Sequence, residues 1–157
     1  MEKTVCFTGH RTIPREQYAR IKALLDEVIE NEIAQGARHF RTGGARGFDT
    51  LAALCVLSAR VRHPAIKLDL ILPCPSQTES WIPSDVALYE SILSMADTVS
   101  YVSREYYSGV MHARNRALVD GADLCVTYLT TSRGGTAYTA SYAIKNGVDF
   151  INLSERL

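Results

Sequence analysis

The sequence lacks an excess of charge of either sign. Its 157 residues include 17 lysines and arginines and 17 aspartates and glutamates, so the formal net charge is zero. Proteins that bind nucleic acid in general usually carry a clear basic surplus. The balance therefore argues against nucleic acid as a partner, although it leaves room for a local basic pocket.

The chain also lacks a long apolar run and any CxxC pair. No stretch of 18 apolar residues occurs, and no leader-like segment precedes the first strand-like run at Thr4, which predicts a cytoplasmic protein with no membrane partner. The four cysteines, Cys6, Cys55, Cys74 and Cys125, are typical of buried core thiols in a reducing compartment. The four histidines are too far apart to suggest a metal site, and we expect neither a metal nor another cofactor.

Two common nucleotide-binding motifs are missing as well. No GxxxxGK[ST] loop occurs, so ATP hydrolysis of the P-loop type is not expected. The first strand-like run is followed by Gly9-His10-Arg11 and not by GxGxxG, so the standard dinucleotide fingerprint is absent.

What the chain does contain is a regular alternation of about six strands and five helices. The strand-like segments are 4–8, 39–42, 68–72, 98–102, 122–128 and 150–153. The helical segments are 14–35, 48–62, 84–96, 108–120 and 136–146, with Ser84 expected to cap the third of them. Such alternation is typical of right-handed βαβ units. We predict an α/β protein, a Rossmann-like three-layer sandwich with a mainly parallel sheet, in which residues 1–157 form a single domain.

Glycine and arginine recur in the loops that follow the predicted strands. These loops are 9–11, 43–49, 103–109 and 132–136. In open α/β sheets ligands bind at the carboxyl ends of the strands. Glycines let the backbone approach a ligand, helix N-termini favour anions, and arginine matches phosphate oxygens. Each loop alone is also compatible with a tight turn and a surface arginine, but together they predict a phosphate-binding pocket.

The predicted site residues come from these loops and from one helix. Asp49 lies in a first helical turn, where it either complements the positive helix end or bonds ribose hydroxyls, and Thr136 either caps a helix or binds phosphate. Tyr106, Tyr107 and Trp81 are candidates for stacking on a base. The predicted ligand-binding residues are Thr8, Gly9, His10, Arg11, Gly43, Gly44, Ala45, Arg46, Gly47, Asp49, Tyr106, Arg114, Asn115, Gly134, Gly135 and Thr136.

These motifs, in this order, resemble the YpsA-like branch of the SLOG superfamily, which includes the DNA-processing protein DprA and the LOG phosphoribohydrolases. The segments that carry the resemblance are 6–11, 43–49, 108–115 and 134–138. The resemblance implies a Rossmann-like fold and a nucleotide or nucleotide-derived ligand. LOG enzymes have a glutamate just after their glycine motif, whereas Thr136 here is followed by residues 137–140 without an acid. We therefore do not transfer that activity.

Three functional hypotheses remain open at this point. The first is a module that binds or senses a nucleotide or nucleotide-derived small molecule. The second is an N-glycosidase, or a nucleoside 5'-monophosphate phosphoribohydrolase of LOG type, with Asp49 or Glu105 as the carboxylate. The third is DprA-like binding of single-stranded DNA. The sequence assigns no catalytic residue and leaves the oligomeric state open, with a homo-oligomer among the alternatives.

Overall fold

The computed structural model describes residues 2–157 and contains one sheet of six parallel strands. The strands are β1 (Lys3–Gly9), β2 (Ala37–Thr42), β3 (Lys67–Leu72), β4 (Thr98–Tyr101), β5 (Leu124–Tyr128) and β6 (Asp149–Asn152). The helices are α1 (Tyr18–Ala34), α2 (Phe48–Arg62), α3 (Pro83–Met95), α4 (Val110–Val119) and α5 (Gly135–Lys145). The predicted α/β, Rossmann-like fold is confirmed; Met1 of the predicted domain lies outside the described residues.

The direction in which successive strands are added to the sheet reverses once. The sheet runs β4-β3-β2-β1-β5-β6, and every neighbouring pair is parallel. From β1 the chain builds outward to β4 on one side and then crosses to β5 on the other. The carboxyl ends of β1 and β5 therefore flank the switch point, which is where ligands bind in open sheets of this kind.

Helices cover the sheet on both faces because the central strands are apolar on both faces. Val5 and Phe7 of β1 belong to a large core shared with α1 and α2. Cys6 points the other way, into a smaller core with Cys125 of β5 and Leu118 of α4. All four cysteines are buried and free. Strands β1 and β5 are thereby fixed between two helical layers, which positions the loops that follow them.

Some element boundaries differ from the sequence prediction. The predicted helix over 14–35 begins with a separate 3-10 turn, Arg15–Gln17, before α1. A second 3-10 turn, Pro75–Thr78, lies between β3 and α3, where the sequence predicts neither a strand nor a helix. Ser84 does not cap α3, because that helix already begins at Pro83 with Ile82 as its N-cap. Proline suits the first helical position, since its missing N–H would have no partner there.

The helices within residues 2–157 include none that is long and apolar enough to cross a membrane.

Candidate functional site

A cavity of about 520 Å³ opens at the switch point between β1 and β5. Its walls come from the ends of those two strands, from the start of α2 and from one side of α4 and α5. The lining residues are Thr8, Gly9, His10, Arg11, Thr12, Ala45, Asp49, Met111, Arg114, Asn115, Thr130, Thr131, Arg133, Gly134, Gly135 and Thr136. The volume falls in the range of small-molecule pockets.

The loop after β1 is held against its neighbours by close packing and one side-chain hydrogen bond. A Cβ atom on Gly9 would lie 2.4 Å from the ring of Phe48, so only glycine fits beneath that side chain. The Nε2 atom of His10 accepts a hydrogen bond of 2.9 Å from the backbone N–H of Thr130. Burial lowers the pKa of His10, which favours the neutral ring that this bond requires. The loops after β1 and β5 are thus joined across the cavity.

Helix α5 presents its N-terminus to the same cavity. Gly134 is its N-cap, with φ of 94°, and no side chain caps it. The first N–H groups of a helix have no acceptor within the helix and attract negative charge. A Cβ atom on Gly135 would meet only Asn115 Nδ2, at an ordinary 3.7 Å. Gly134, Gly135 and Thr136 therefore line the open cavity and are not packed closely against another part of the described chain.

Three arginines give the cavity its positive charge. The side chains of Arg11 and Arg133 are exposed at its rim, whereas Arg114 is buried in its floor. Arg114 donates to the carbonyl oxygen of Gly43 and, through Nε, to Asn115 Oδ1 at 2.8 Å. Burial lowers the pKa of Arg114, and the nearby positive charge of Arg11 lowers it further. The negative charge of Asp49 opposes this lowering of the Arg114 pKa.

Asp49 supplies one carboxylate to this positive cavity. Its side chain is only 4% exposed, and Oδ2 accepts a hydrogen bond of 3.3 Å from the Ala45 amide. Its other oxygen, Oδ1, has no hydrogen-bond partner among residues 2–157. Burial raises the pKa of Asp49 to about 6, although Arg114 opposes this shift. An unpaired buried acceptor is costly, and a ligand hydroxyl group would satisfy it.

The glycines of the β2–α2 loop, which the sequence predicts to bind the ligand, are closely packed against other parts of the protein. A Cβ atom on Gly43 would lie 2.8 Å from Arg114, and one on Gly44 would lie 2.4 Å from Leu72. Gly47 has φ of 76°, and its Cβ would lie 2.3 Å from the carbonyl oxygen of Arg11. None of the three glycines lines the cavity. They are small because the protein's own atoms occupy the space beside them.

A second cavity, of about 580 Å³, adjoins the first. Four residues line both cavities: Arg11, Ala45, Met111 and Arg114. Its outer part contains aromatic rings and another arginine: the guanidinium carbon of Arg46 lies 5.0 Å from the centre of the Trp81 ring, and Tyr106 is 66% exposed beside them.

The structure brings most of the predicted site residues together, and it separates a few. Those at the first cavity are Thr8, Gly9, His10, Arg11, Ala45, Asp49, Arg114, Asn115, Gly134, Gly135 and Thr136. Arg46 and Tyr106 line the second cavity instead, as does Trp81. Thr136 is not the cap of α5, because Gly134 has that position. Glu105, the alternative carboxylate, lines neither of the two cavities.

Sequence reasoning missed five residues that line the first cavity. They are Thr12, Met111, Thr130, Thr131 and Arg133. Met111 could have been found from Arg114 and Asn115, because positions three and four apart share one face of a helix. The other four lie within or beside glycine loops that the sequence had already selected. In the part of the chain that the structure describes, no group of three or more His, Cys, Asp or Glu residues is arranged to hold a metal.

Comparison with known proteins places the chain in a family. The model of the YspA SLOG family, YpsA, matches residues 6–149. The uncharacterized SPbeta prophage-derived protein YoqJ of Bacillus subtilis is 28% identical over 138 residues, covering 80% of this chain and 79% of YoqJ.

Solved structures of DNA processing protein A (DprA) share the fold. The protein from Streptococcus pneumoniae has a TM-score of 0.66 at 15% identity, over 95% of this chain and 49% of DprA. The Helicobacter pylori protein, described with a single-stranded DNA binding mode, has a TM-score of 0.67 at 19% identity, over 94% of this chain and 63% of that protein. The chain thus spans about half the length of pneumococcal DprA. With the family model covering most of its length, the chain belongs to the YspA SLOG family.

Proposed function

We propose that the protein binds a nucleotide or nucleotide-derived small molecule in the cavity between β1 and β5. The observation that carries this proposal is a pairing of opposite features in one cavity. One wall is positive and rich in donors, and the other holds the buried, half-satisfied carboxylate of Asp49. A phosphate group and a sugar with free hydroxyls match these two walls.

The phosphate would lie against the start of α5. The free amides of Gly135 and Thr136 point out of a helix N-terminus, which is a general anion-binding arrangement. Arg11 and Arg133 stand at the rim of the same cavity, and neither forms an ion pair with another side chain within residues 2–157. Guanidinium groups bind phosphate oxygens in a planar, two-point geometry. The local charge is positive although the whole chain is neutral.

The sugar would lie toward Asp49. A ribose hydroxyl that donates to Oδ1 would give this buried oxygen the partner that it lacks among residues 2–157. A bond between a hydroxyl donor and a charged acceptor is also stronger than one between two neutral groups. The proposal therefore predicts that a nucleotide binds better than either its nucleoside or inorganic phosphate.

The test is a calorimetric titration with AMP, adenosine and inorganic phosphate. We expect AMP to bind at least about tenfold more tightly than the other two, and Arg133→Gln to weaken AMP binding by a similar factor. Arg20→Gln is the matched control, since it removes one exposed arginine on α1, away from the cavity. If no nucleotide from a panel of the common bases saturates the protein, the proposal fails.

A second candidate, hydrolysis of an N-glycosidic bond, is favoured by one observation. Asp49 lies at the cavity wall with its pKa raised to about 6 by burial, and a carboxyl group with such a pKa is suited to acid–base catalysis near neutral pH. Incubation with AMP would release adenine and ribose 5-phosphate if this activity exists. An Asp49→Asn variant would then bind AMP without cleaving it. Intact AMP after long incubation with the wild-type protein excludes this candidate for AMP.

A further inference from the structure

We propose that the second cavity binds a second base, so that the ligand consists of two nucleoside units joined by a diphosphate. This inference rests on the proposed function, because it takes the first cavity as the site of one nucleotide. It goes further by assigning a ligand class to the pair of cavities. The observation behind it is that the two cavities are contiguous, similar in size and different in chemistry.

The size of the site is the first argument. The cavities measure about 520 and 580 Å³, and each alone falls in the range of pockets that hold a complete small ligand. A mononucleotide in the first cavity would leave the second one unoccupied. A ligand with two units of similar size would use both.

The charge at the junction is the second argument. Arg11 and Arg114 line both cavities, so two guanidinium groups face the place where the cavities meet. Repulsion between neighbouring guanidinium groups is relieved by an anion between them. One phosphate of the linking diphosphate would lie against the start of α5, as in the proposed function, and the other would lie beside Arg11 at this junction.

The outer part of the second cavity supplies flat surfaces. Trp81 has the Arg46 guanidinium over its ring at 5.0 Å, and Tyr106 is 66% exposed nearby. Bases stack on aromatic rings and on the planes of arginine side chains. The first cavity has no tyrosine, phenylalanine or tryptophan in its lining. The second cavity is therefore the better site for a stacked base.

The polar lining of the second cavity is compatible with a charged ligand. Gln77 lines this cavity, and its Nε2 donates to the Gly43 carbonyl oxygen at 3.5 Å. Glu79 is the one acidic residue in the lining, against three arginines, so the cavity accepts a ligand with linking phosphates.

The test compares AMP with diadenosine diphosphate, which has a similar charge and adds the second nucleoside. We expect diadenosine diphosphate to bind about tenfold or more tightly than AMP. Trp81→Ala and Tyr106→Ala should each lower the affinity for diadenosine diphosphate about fivefold or more. Neither variant should change the affinity for AMP. Tyr107→Ala is the matched control, because this tyrosine is 47% exposed and lines neither of the two cavities. Since Tyr106 is largely exposed, its variant remains informative if Trp81→Ala does not fold.

Other outcomes separate this inference from the proposed function. Equal affinities for AMP and diadenosine diphosphate, both weakened by Arg133→Gln and neither by Trp81→Ala or Tyr106→Ala, overturn the inference and leave the proposed function standing. Failure of both ligands to bind overturns both. If a short oligo(dT) binds more tightly than diadenosine diphosphate and depends on Trp81, the second cavity belongs to a single-stranded DNA site, and the inference is wrong.

Discussion

Two glycine-rich loops look alike in the sequence and differ in the structure. The glycines of the β2–α2 loop, 43–47, are closed off, because Arg114, Leu72 and the backbone of Arg11 occupy the space beside them, while Ala45 and Arg46 of the same loop reach the cavities. The β5–α5 loop faces open space at Gly134, which has nothing within 4 Å of an added Cβ in the described chain. One loop is built into the protein, and the other is available to a ligand.

The anionic partners of the two loops differ in the same way. In the closed loop the Ala45 amide binds the carboxylate of Asp49, which comes from the protein itself. In the open loop the free amides at the start of α5 face a cavity whose rim carries Arg11 and Arg133. A glycine-rich turn before a helix thus predicts an anion, and only the packing around it shows whether the anion is internal or external.

The largest expected effect comes from filling the closed loop. Gly47→Ala would force alanine into a positive φ of 76° and place its Cβ 2.3 Å from the carbonyl oxygen of Arg11. Strain and overpacking each cost about 1–3 kcal/mol, so we expect the free energy of unfolding to fall by roughly 3 kcal/mol or more. Urea denaturation measures this. A loss below about 1 kcal/mol would contradict the closed state of this loop.

The next effect concerns the internal carboxylate. Burial raises the pKa of Asp49 from 3.8 to about 6, so the folded protein holds a proton that the unfolded chain releases. The stability linked to this proton is complete below pH 3.8 and is lost as the pH rises through about 6. At about 1.4 kcal/mol per pKa unit, the loss is roughly 3 kcal/mol.

A matched variant isolates this titration. Asp49→Asn has no proton to lose, so its free energy of unfolding should change less than that of the wild-type protein between pH 4 and pH 7.5, by up to about 3 kcal/mol. Urea denaturation at both pH values gives the difference. Identical pH profiles for the two proteins would show that Asp49 is not the buried, uncompensated group described here.

The open loop should respond in the opposite sense. A methyl group added in Gly135→Ala meets only an ordinary contact with Asn115, so the midpoint of thermal unfolding should stay within a few degrees. The methyl group would stand in front of the α5 amides, and AMP binding should weaken about tenfold, or about 1.4 kcal/mol. Calorimetry together with thermal denaturation checks both parts. A destabilised variant with unchanged affinity would reverse the assignment of the two loops.

The smallest effect concerns the link between the loops after β1 and β5. His10→Ala removes the acceptor of the Thr130 amide, and a single hydrogen bond contributes about 1 kcal/mol. We expect hydrogen exchange at the Thr130 amide to speed up about fivefold relative to its intrinsic rate. Unchanged exchange would mean that His10 does not hold the open loop in place.

The sequence was sufficient for the fold because hydrophobic periodicity reports directly on burial. The alternation of apolar segments predicted six strands and five helices, and α2 was predicted with its observed bounds. The predicted start of α3 was wrong because its cap, Ser84, was chosen from residue type alone. The helix begins at Pro83 and has no side-chain cap.

The candidate site was predictable only in part, because a loop sequence does not show what packs against it. Gly43 and Gly134 have the same local character, and the side chain that fills the space at Gly43 is Arg114, 71 residues away. The second cavity was missed as a unit for the same reason: Arg46, Trp81 and Tyr106 come from three separate loops. Contacts between residues so far apart in the sequence are set by the topology of the sheet, which the sequence of a single loop does not show.

A titration of the ¹⁵N-labelled protein with AMP, followed by NMR, tests the central claim most directly. The claim predicts that the amide signals of Gly134, Gly135 and Thr136 shift the most and saturate together, while that of Gly44 in the closed loop moves little. Saturating shifts centred on Gly43, Gly44 and Gly47, or none at either loop, would contradict it.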